Sequence, residues 1–293
     1  MSTTNAGASI GPIAAVTVVT PSLAASEAAY GGWLGYRTVG RGRVSDAQAA
    51  LWTAPDVAGA PCLLMAPAGA DDFVFRFIER PGQRGYRAFS GHGWNAAELI
   101  VQKVDDIAAR LAGSPFELVA PPLDLSFCSD IRAMQVRGPG GEIIYLTEFK
   151  RPVPGLDAPP ARSAVDRTFI VIVGGPSLAG LQRHYGDRFS VPETPSMESR
   201  VQTMALEFGM DRESRFRIAA LPLAGRCYVE ADEMPAAARP LPATGLPDGI
   251  AIVTFQGNAR DGVRPPVDEP PYRGAATVTC ERGAAGELIE VVA

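Results

Sequence analysis

Lysine and histidine are almost missing from this chain, which has two of each: Lys103 and Lys150, His92 and His184. Two histidines cannot build the multi-histidine centres common among catalytic metalloproteins. With a net charge of −5 and arginine carrying nearly all the positive charge, there is no basic surface suited to nucleic acid or an anionic membrane. The four cysteines, Cys62, Cys128, Cys227 and Cys280, form no CxxC pair. Each lies in or beside an apolar stretch, which favours reduced core thiols over disulfides or a zinc site. No apolar run reaches the length of a membrane span, and Met1 to Gly11 lacks the basic region and apolar run of a secretory signal. The default expectation is a cytoplasmic protein that binds neither membrane nor nucleic acid. The glycine cluster Gly138-Pro139-Gly140-Gly141 is followed by no lysine-serine pair and no helix, so it predicts a hairpin turn and not a phosphate loop.

What is present is apolar material for ordinary cores: 46% of 293 residues, enough for two domains of about 150 residues each. The chain also repeats itself. Pro21-Ser22-Leu23-Ala24 recurs as Pro176-Ser177-Leu178-Ala179, and Tyr30-Gly31 recurs as Tyr185-Gly186, both 155 residues on. The context recurs too. The β-branched run within Ile13 to Thr20 predicts a buried strand, Thr20-Pro21-Ser22 breaks it, and a helix follows from Leu23 to Leu34, ending at Gly35. In the second copy Phe169 to Val173 predicts the strand and Leu178 to Tyr185 the helix. Between the copies, 151–162 carries four prolines and no periodic apolar pattern, which marks a linker.

Each half divides again. In the first half Glu98 to Gln102 predicts a strand, Val104-Asp105-Asp106 an acidically capped helix start, and Ile107 to Leu111 a short helix. Strands follow around Phe116 to Val119, Ile131 to Arg137 and Glu142 to Phe149. The expectation is an α+β chain with a domain at 1–150, the linker at 151–162 and a domain at 163–293, each holding two strand-helix-three-strand modules. The last module is degenerate, because 258–271 is rich in Pro, Arg and Asp and reads as a loop.

Three segments carry a family likeness: Ala15 to Tyr36 (AVTVVTPSLAASEAAYGGWLGY), Gly138 to Phe149 (GPGGEIIYLTEF) and Gly283 to Ala293 (GAAGELIEVVA). In their order and spacing they resemble the vicinal-oxygen-chelate superfamily of glyoxalase I, bleomycin-resistance proteins and extradiol dioxygenases. The resemblance implies four βαβββ modules paired into two cup-shaped mixed sheets. It also implies a divalent metal on the cup floor, held by histidine or glutamine on first strands and glutamate on last strands. Carried over residue by residue, the first-strand positions fall on Ala15, Leu99, Thr168 and Gly249 or Ile250, and the last-strand positions include Arg76, Tyr145 and Glu290. Arginine is no ligand for a hard divalent cation, and one glutamate makes no site. The expectation is therefore a protein without a metal or other cofactor.

If a cup is catalytic without metal, Arg76 and Tyr145 are placed to stabilise an oxyanion, and Glu290 or His92 to move protons. Each has a plainer reading. Arg76 and Tyr145 would plug a cavity, with Arg76 paired to a local acid such as Asp72. Glu290, near the C-terminus, would be an exposed edge residue, and His92 would belong to a Gly-rich turn. Because Phe73, Phe75 and Phe77 alternate with Arg76, the phenylalanines should face the helices when Arg76 faces the cup. The function classes are a metal-independent lyase or isomerase acting on a small hydrophobic carbonyl or aromatic compound, a non-catalytic sequestering protein, and a metal-dependent dioxygenase or lyase with atypical ligands. The partner in each is a small hydrophobic or aromatic ligand, and the chain is a monomer or homodimer.

Overall fold

A computed structural model of the chain describes residues 8–81, 86–125, 128–259 and 261–293. The β-branched run ends β1 (Ile10–Thr20), and Ser22 then caps α1 (Leu23–Leu34) by accepting from the Ala25 N–H. Gly35 closes the helix with φ 76°, a conformation that favours glycine. The first module continues with β2 (Arg37–Arg43), α2 (Asp46–Leu51), β3 (Pro61–Ala66) and β4 (Val74–Glu79). The second is β5 (Gly93–Val101), α3 (Val104–Leu111), β6 (Glu117–Leu125), β7 (Cys128–Arg137) and β8 (Ile143–Phe149). The third is β9 (Val165–Gly175), α4 (Leu178–Phe189), β10 (Met197–Arg200), α5 (Gln202–Glu207), β11 (Arg215–Leu223) and β12 (Cys227–Glu233). The fourth has only β13 (Gly249–Gly257), β14 (Val278–Arg282) and β15 (Leu288–Val292), with no helix among its described residues.

The expected α+β class and its two curled mixed sheets are what the structure has, but the modules do not pair in chain order. One sheet runs β14-β15-β13-β1-β4-β3-β2 and joins the first module to the fourth; the other runs β10-β11-β12-β9-β5-β8-β7-β6 and joins the second to the third. Neither sheet divides at the linker, so 1–150 and 163–293 do not each form a cup. The strand patterns are local, whereas the β1–β13 and β5–β9 pairings that join modules are long-range and leave no local mark. The proline-rich segment carries the chain from β8 to β9 across the second sheet, packing Leu156, Ala158 and Ala161 against Ile100, Ile170 and Tyr228.

One core joins the helix-bearing faces of both sheets and contains Phe73, Phe75 and Phe77; Phe75 and Phe77 pack against Tyr30 of α1, and Phe73 packs against Phe75. The predicted alternation on β4 therefore holds. Two matched hydrogen bonds clamp the sheets together: Tyr30 donates to Glu142 Oε1 at 2.8 Å, and Tyr185, its counterpart 155 residues on, donates to Glu287 Oε1 at 3.3 Å. Both glutamates fold back over a hairpin glycine, Gly138 or Gly283, where a Cβ would overlap the carboxylate. Burial pushes each carboxyl up to about 7.

A second device recurs three times. Glu79, Glu148 and Glu233, at the ends of the last strands, accept from the first helical N–H of their own module at Leu23, Val104 and Leu178, at 2.8, 2.9 and 3.0 Å. For α3 this replaces the expected aspartate cap: Lys103 stands at the N-cap with no side-chain bond. The four cysteines are free thiols. No helix among the described residues is long and apolar enough to cross a membrane.

Candidate functional site in the second cup

In every module the first strand lies parallel to the last, and the register sets one residue of each side by side on the concave face. The pairs are Thr17 with Arg76, Glu98 with Tyr145, Ile172 with Glu230, and Thr254 with Glu290. Because side chains alternate along a strand, these positions share a face whatever residue fills them. Sheet pairing then groups the first and last pairs in one cup and the middle two in the other.

The first cup is closed. Arg76 and Glu290 are 1% and 0% exposed and form an ion pair at 3.1 Å. Arg76 also donates from Nε to Thr17 and from Nη1 to the Tyr272 hydroxyl, both at 2.8 Å. Glu290 accepts from Trp52 Nε1 at 2.8 Å, Tyr272 at 2.7 Å and Thr254 at 2.6 Å. The guanidinium carbon lies 4.5 Å from the Trp52 ring centre and 5.5 Å from that of Tyr272. Burial alone would lower the Arg76 pKa, but Glu290 and Tyr272 outweigh it and hold the group above the usual arginine value. Trp52 follows α2, and Tyr272 comes from the loop before β14; together they fill the cup with side chains. Thr17, Trp52, Arg76, Tyr272 and Glu290 are all buried and bonded to one another, which leaves the described polar groups of this floor paired among themselves.

The second cup is different in kind. Glu98, Tyr145 and Glu230 are only partly covered, while Asp232, two residues beyond Glu230 on the same face of β12, is fully buried. Neither Asp232 carboxylate oxygen has a hydrogen-bond partner. Val229 and Ala231, between and before these acids, point into the core on the other side of the sheet. Burial pushes Glu98 up to about 7, opposed by the neighbouring Thr147 hydroxyl, and Asp232 up to about 8. Glu230 is raised well above the ordinary glutamate value by burial and then by Asp232 and Glu98. The Tyr145 hydroxyl is raised by burial and then by all three acids, so the four groups share one electrostatic environment.

Apolar side chains flank these acids. Ala96, Ile143, Ile172, Met204, Phe216 and Ile218 pack at one end. At the other, a cavity of about 820 Å³ opens beneath the proline-rich segment, lined by residues including Phe149, Leu156, Ala220 and Tyr228. Ala220 pairs directly with Glu230 across the β11–β12 ladder, so this cavity adjoins the acidic floor. Its volume falls in the range typical of small-molecule sites.

The structure brings together two of the four residues expected from sequence, Arg76 and Glu290, but in the closed cup. Tyr145 lies in the open one. His92 lies in neither floor; partly exposed, it lines a separate cavity of about 240 Å³ with Tyr86, Arg87, Trp94, Arg239 and Asp248. The partner of Arg76 is Glu290 and not Asp72, which pairs with Arg162 and Arg167. Glu290 is not at an edge, since β15 lies between β14 and β13. The first-strand positions are Thr17, Glu98, Ile172 and Thr254 rather than Ala15, Leu99, Thr168 and Gly249 or Ile250. Leu99 faces the core, one residue from Glu98, and a one-residue slip inverts the face. Glu98, Glu230 and Asp232 went unmarked as site residues, although Glu230 stands three residues before its helix-capping glutamate, as do Arg76 and Tyr145.

Solved structures with this arrangement exist at very low sequence identity. Glyoxalase I from Zea mays superposes with a TM-score of 0.63 at 12% identity, covering 96% of this chain and 91% of that one. A Bacillus subtilis protein provisionally named a dioxygenase gives 0.64 at 13%, covering 98% and 86%. This chain has the vicinal-oxygen-chelate fold. No sequence-family model and no curated relative matches it. Identity this low shows the fold and leaves the chemistry to the residues.

Those residues do not suit the divalent metal that the fold implies. In the first cup a guanidinium, which offers only donors, occupies the floor. In the second the four positions are Glu98, Tyr145, Ile172 and Glu230, so one is an alkyl group and another a phenol held in its neutral form. Among the described residues no three His, Cys, Asp or Glu side chains are grouped to hold a metal ion.

Proposed function

We propose that the second cup binds a small hydrophobic carbonyl or aromatic compound and transfers a proton next to its carbonyl, as a lyase or isomerase that needs no metal. The observation that carries this reading is the set of three acids and a tyrosine on the floor of a cup with apolar walls, their proton affinities raised toward neutral pH. A carboxylate with a pKa near the working pH is the stronger base for being desolvated, and a carboxylic acid kept protonated can donate a hydrogen bond. Glu98 in its ionised form removes a proton from the carbon beside the carbonyl. The C–H electron pair forms a carbon–carbon double bond as the carbonyl π pair moves to oxygen, and the resulting enolate oxygen accepts hydrogen bonds from protonated Glu230 and the Tyr145 O–H. Returning the proton to a different carbon isomerises the compound; expelling a group from the next carbon eliminates it.

Proton exchange in deuterated water tests this directly. Wild-type protein should catalyse deuterium uptake at the acidic C–H of some members of an aryl and alkyl ketone panel, followed by NMR. Glu98→Gln should reduce the rate about 100-fold or more, within the usual range for removing a general base. Saturable binding without exchange across the panel would favour the sequestering class instead. For that reading the exposed Leu118, Leu123, Met197, Leu206 and Met210, all in the two modules that form this cup, supply apolar surface.

A further inference from the structure

Among the described residues, the floor of the second cup contains negative groups and no positive one. The groups acting on Glu98 are burial and Thr147; on Glu230 they are burial, Asp232 and Glu98; on Asp232, burial alone. Lys150, Arg151 and Arg226 do line the adjoining cavity, but each is held by its own carboxylate, at Asp124, Asp130 and Asp157, at 2.7, 2.6 and 2.7 Å. Arg215 and Arg217 alternate with Phe216 and Ile218, so they project from the opposite face of β11. Elsewhere in the chain a buried carboxylate has a donor. Glu290 has Arg76, Trp52, Thr254 and Tyr272; Glu142 and Glu287 have tyrosines; Asp166 has Arg162. Asp232 has none, although it is as deeply buried as any of them. An unpaired buried carboxyl carries a desolvation cost that this fold avoids at its other buried acids, and the cost is relieved when a donor arrives.

We infer that the ligand of the second cup carries a protonated nitrogen, which docks against Asp232 and Glu230 while its apolar body fills the adjoining cavity. This rests on the reading of the second cup as the binding site and narrows the class of compound that site takes: an apolar carbonyl or aromatic compound that also carries an amine. A carboxylate or phosphate ester would bring like charge onto three acids with no free cation among the described residues of the floor to receive it. A neutral alcohol would satisfy one hydrogen bond and leave the other acids as they are. The ammonium offers three donors and the opposite charge, so only it meets both needs.

The test is calorimetric titration of the full chain at pH 7.5 with benzylamine, 2-naphthylmethylamine and tryptamine, each against the alcohol and the carboxylate of the same skeleton. At least one amine should bind about tenfold or more tightly than its alcohol, the size expected of a charge-assisted bond, and the carboxylate should bind weakest. Asp232→Asn and Glu230→Gln should each bring amine and alcohol within about threefold of one another while leaving the thermal midpoint at or above that of the wild type. Two substitutions guard against one of them misfolding. Equal or tighter binding of the alcohol or the carboxylate overturns the inference, as does failure of every amine to bind at millimolar concentration. Amine binding unchanged by Asp232→Asn, Glu230→Gln and Glu98→Gln alike would place the ligand outside this cup, and it is then the underlying assignment of the site that fails.

Discussion

Breaking the Arg76–Glu290 pair should unfold the protein more readily without touching its chemistry. In Arg76→Met the Glu290 carboxylate keeps Trp52, Thr254 and Tyr272 as donors but loses its only cation, at full burial. Removing one partner of a buried pair costs about 3–5 kcal/mol, because the remaining charge stays desolvated. Loss of guanidinium stacking on Trp52 adds to this by up to about 2 kcal/mol. At about 2–4 °C per kcal/mol for a chain of this size, the thermal midpoint should fall by roughly 10 °C. Glu290→Gln should act similarly by stranding Arg76. The double variant Arg76→Met with Glu290→Gln removes both charges and keeps an oxygen for Trp52 and Tyr272. It should lose clearly less than the sum of the single losses, with a coupling of about 1–3 kcal/mol. Urea midpoints of the four proteins give that coupling, and amine titration of the same samples reports on the second cup. Additive losses would show that the pair is not coupled as the geometry requires. A single variant that kept its midpoint but lost ligand binding would make the first cup the working site.

Glu142 and Glu287 predict a stability that depends on pH. Their folded values, about 7, lie above the ordinary 4.5, so stability is full below about 4.5 and is lost as pH rises through 7. The loss approaches about 3 kcal/mol per residue at about 1.4 kcal/mol per pH unit. Glu142→Gln and Glu287→Gln should flatten the fall in thermal midpoint between pH 5 and pH 8; an equally steep fall in the double variant would refute the assignment. Gly138→Ala and Gly283→Ala should each destabilise by about 1–3 kcal/mol, because the new methyl displaces the folded-back carboxylate from its tyrosine, and urea midpoints equal to wild type would sink this account. Finally, a bound ammonium should draw Glu98 and Asp232 toward ionisation from about 7 and about 8. Amine binding near pH 7 should then release protons, visible as a dependence of the binding enthalpy on buffer; no such dependence would mean that these acids do not meet the amine.

The local elements are legible in the chain where one residue type decides the matter. The strand-helix step at Thr20-Pro21-Ser22, the stop at Gly35 and the aromatic face of β4 follow from a β-branched run, a capping serine, a left-handed glycine and period-two alternation. The pairing of first with fourth and second with third modules is not written locally, because it depends on contacts between strands far apart in the chain, such as Ile10 with Gly257 and Gly93 with Gly174. Arg76 and Tyr145 were recoverable because their strands carry motif-like endings. Glu230 lies in Cys227-Tyr228-Val229-Glu230-Ala231-Asp232-Glu233, which resembles no such ending, yet its offset from Glu233 repeats that of Tyr145 from Glu148. Glu98 was missed by a single residue, the smallest error that inverts a strand.

The same concave positions thus yield opposite results, and the difference follows from charge balance. An arginine and a glutamate facing one another across the first cup neutralise each other, so that floor can dehydrate and close over Trp52 and Tyr272. Three acids facing a tyrosine and an isoleucine in the second cup have no internal partner. They can hold protons, stay near solvent or await a cation, but they cannot close as the first cup has done. On the reading proposed above, Arg76 therefore closes a cup instead of acting in one. A substitution that completes a charge pair ends a site. One that leaves charge unpaired beside an apolar cavity keeps it open to a ligand, and in this chain that condition is met at Glu98, Glu230 and Asp232.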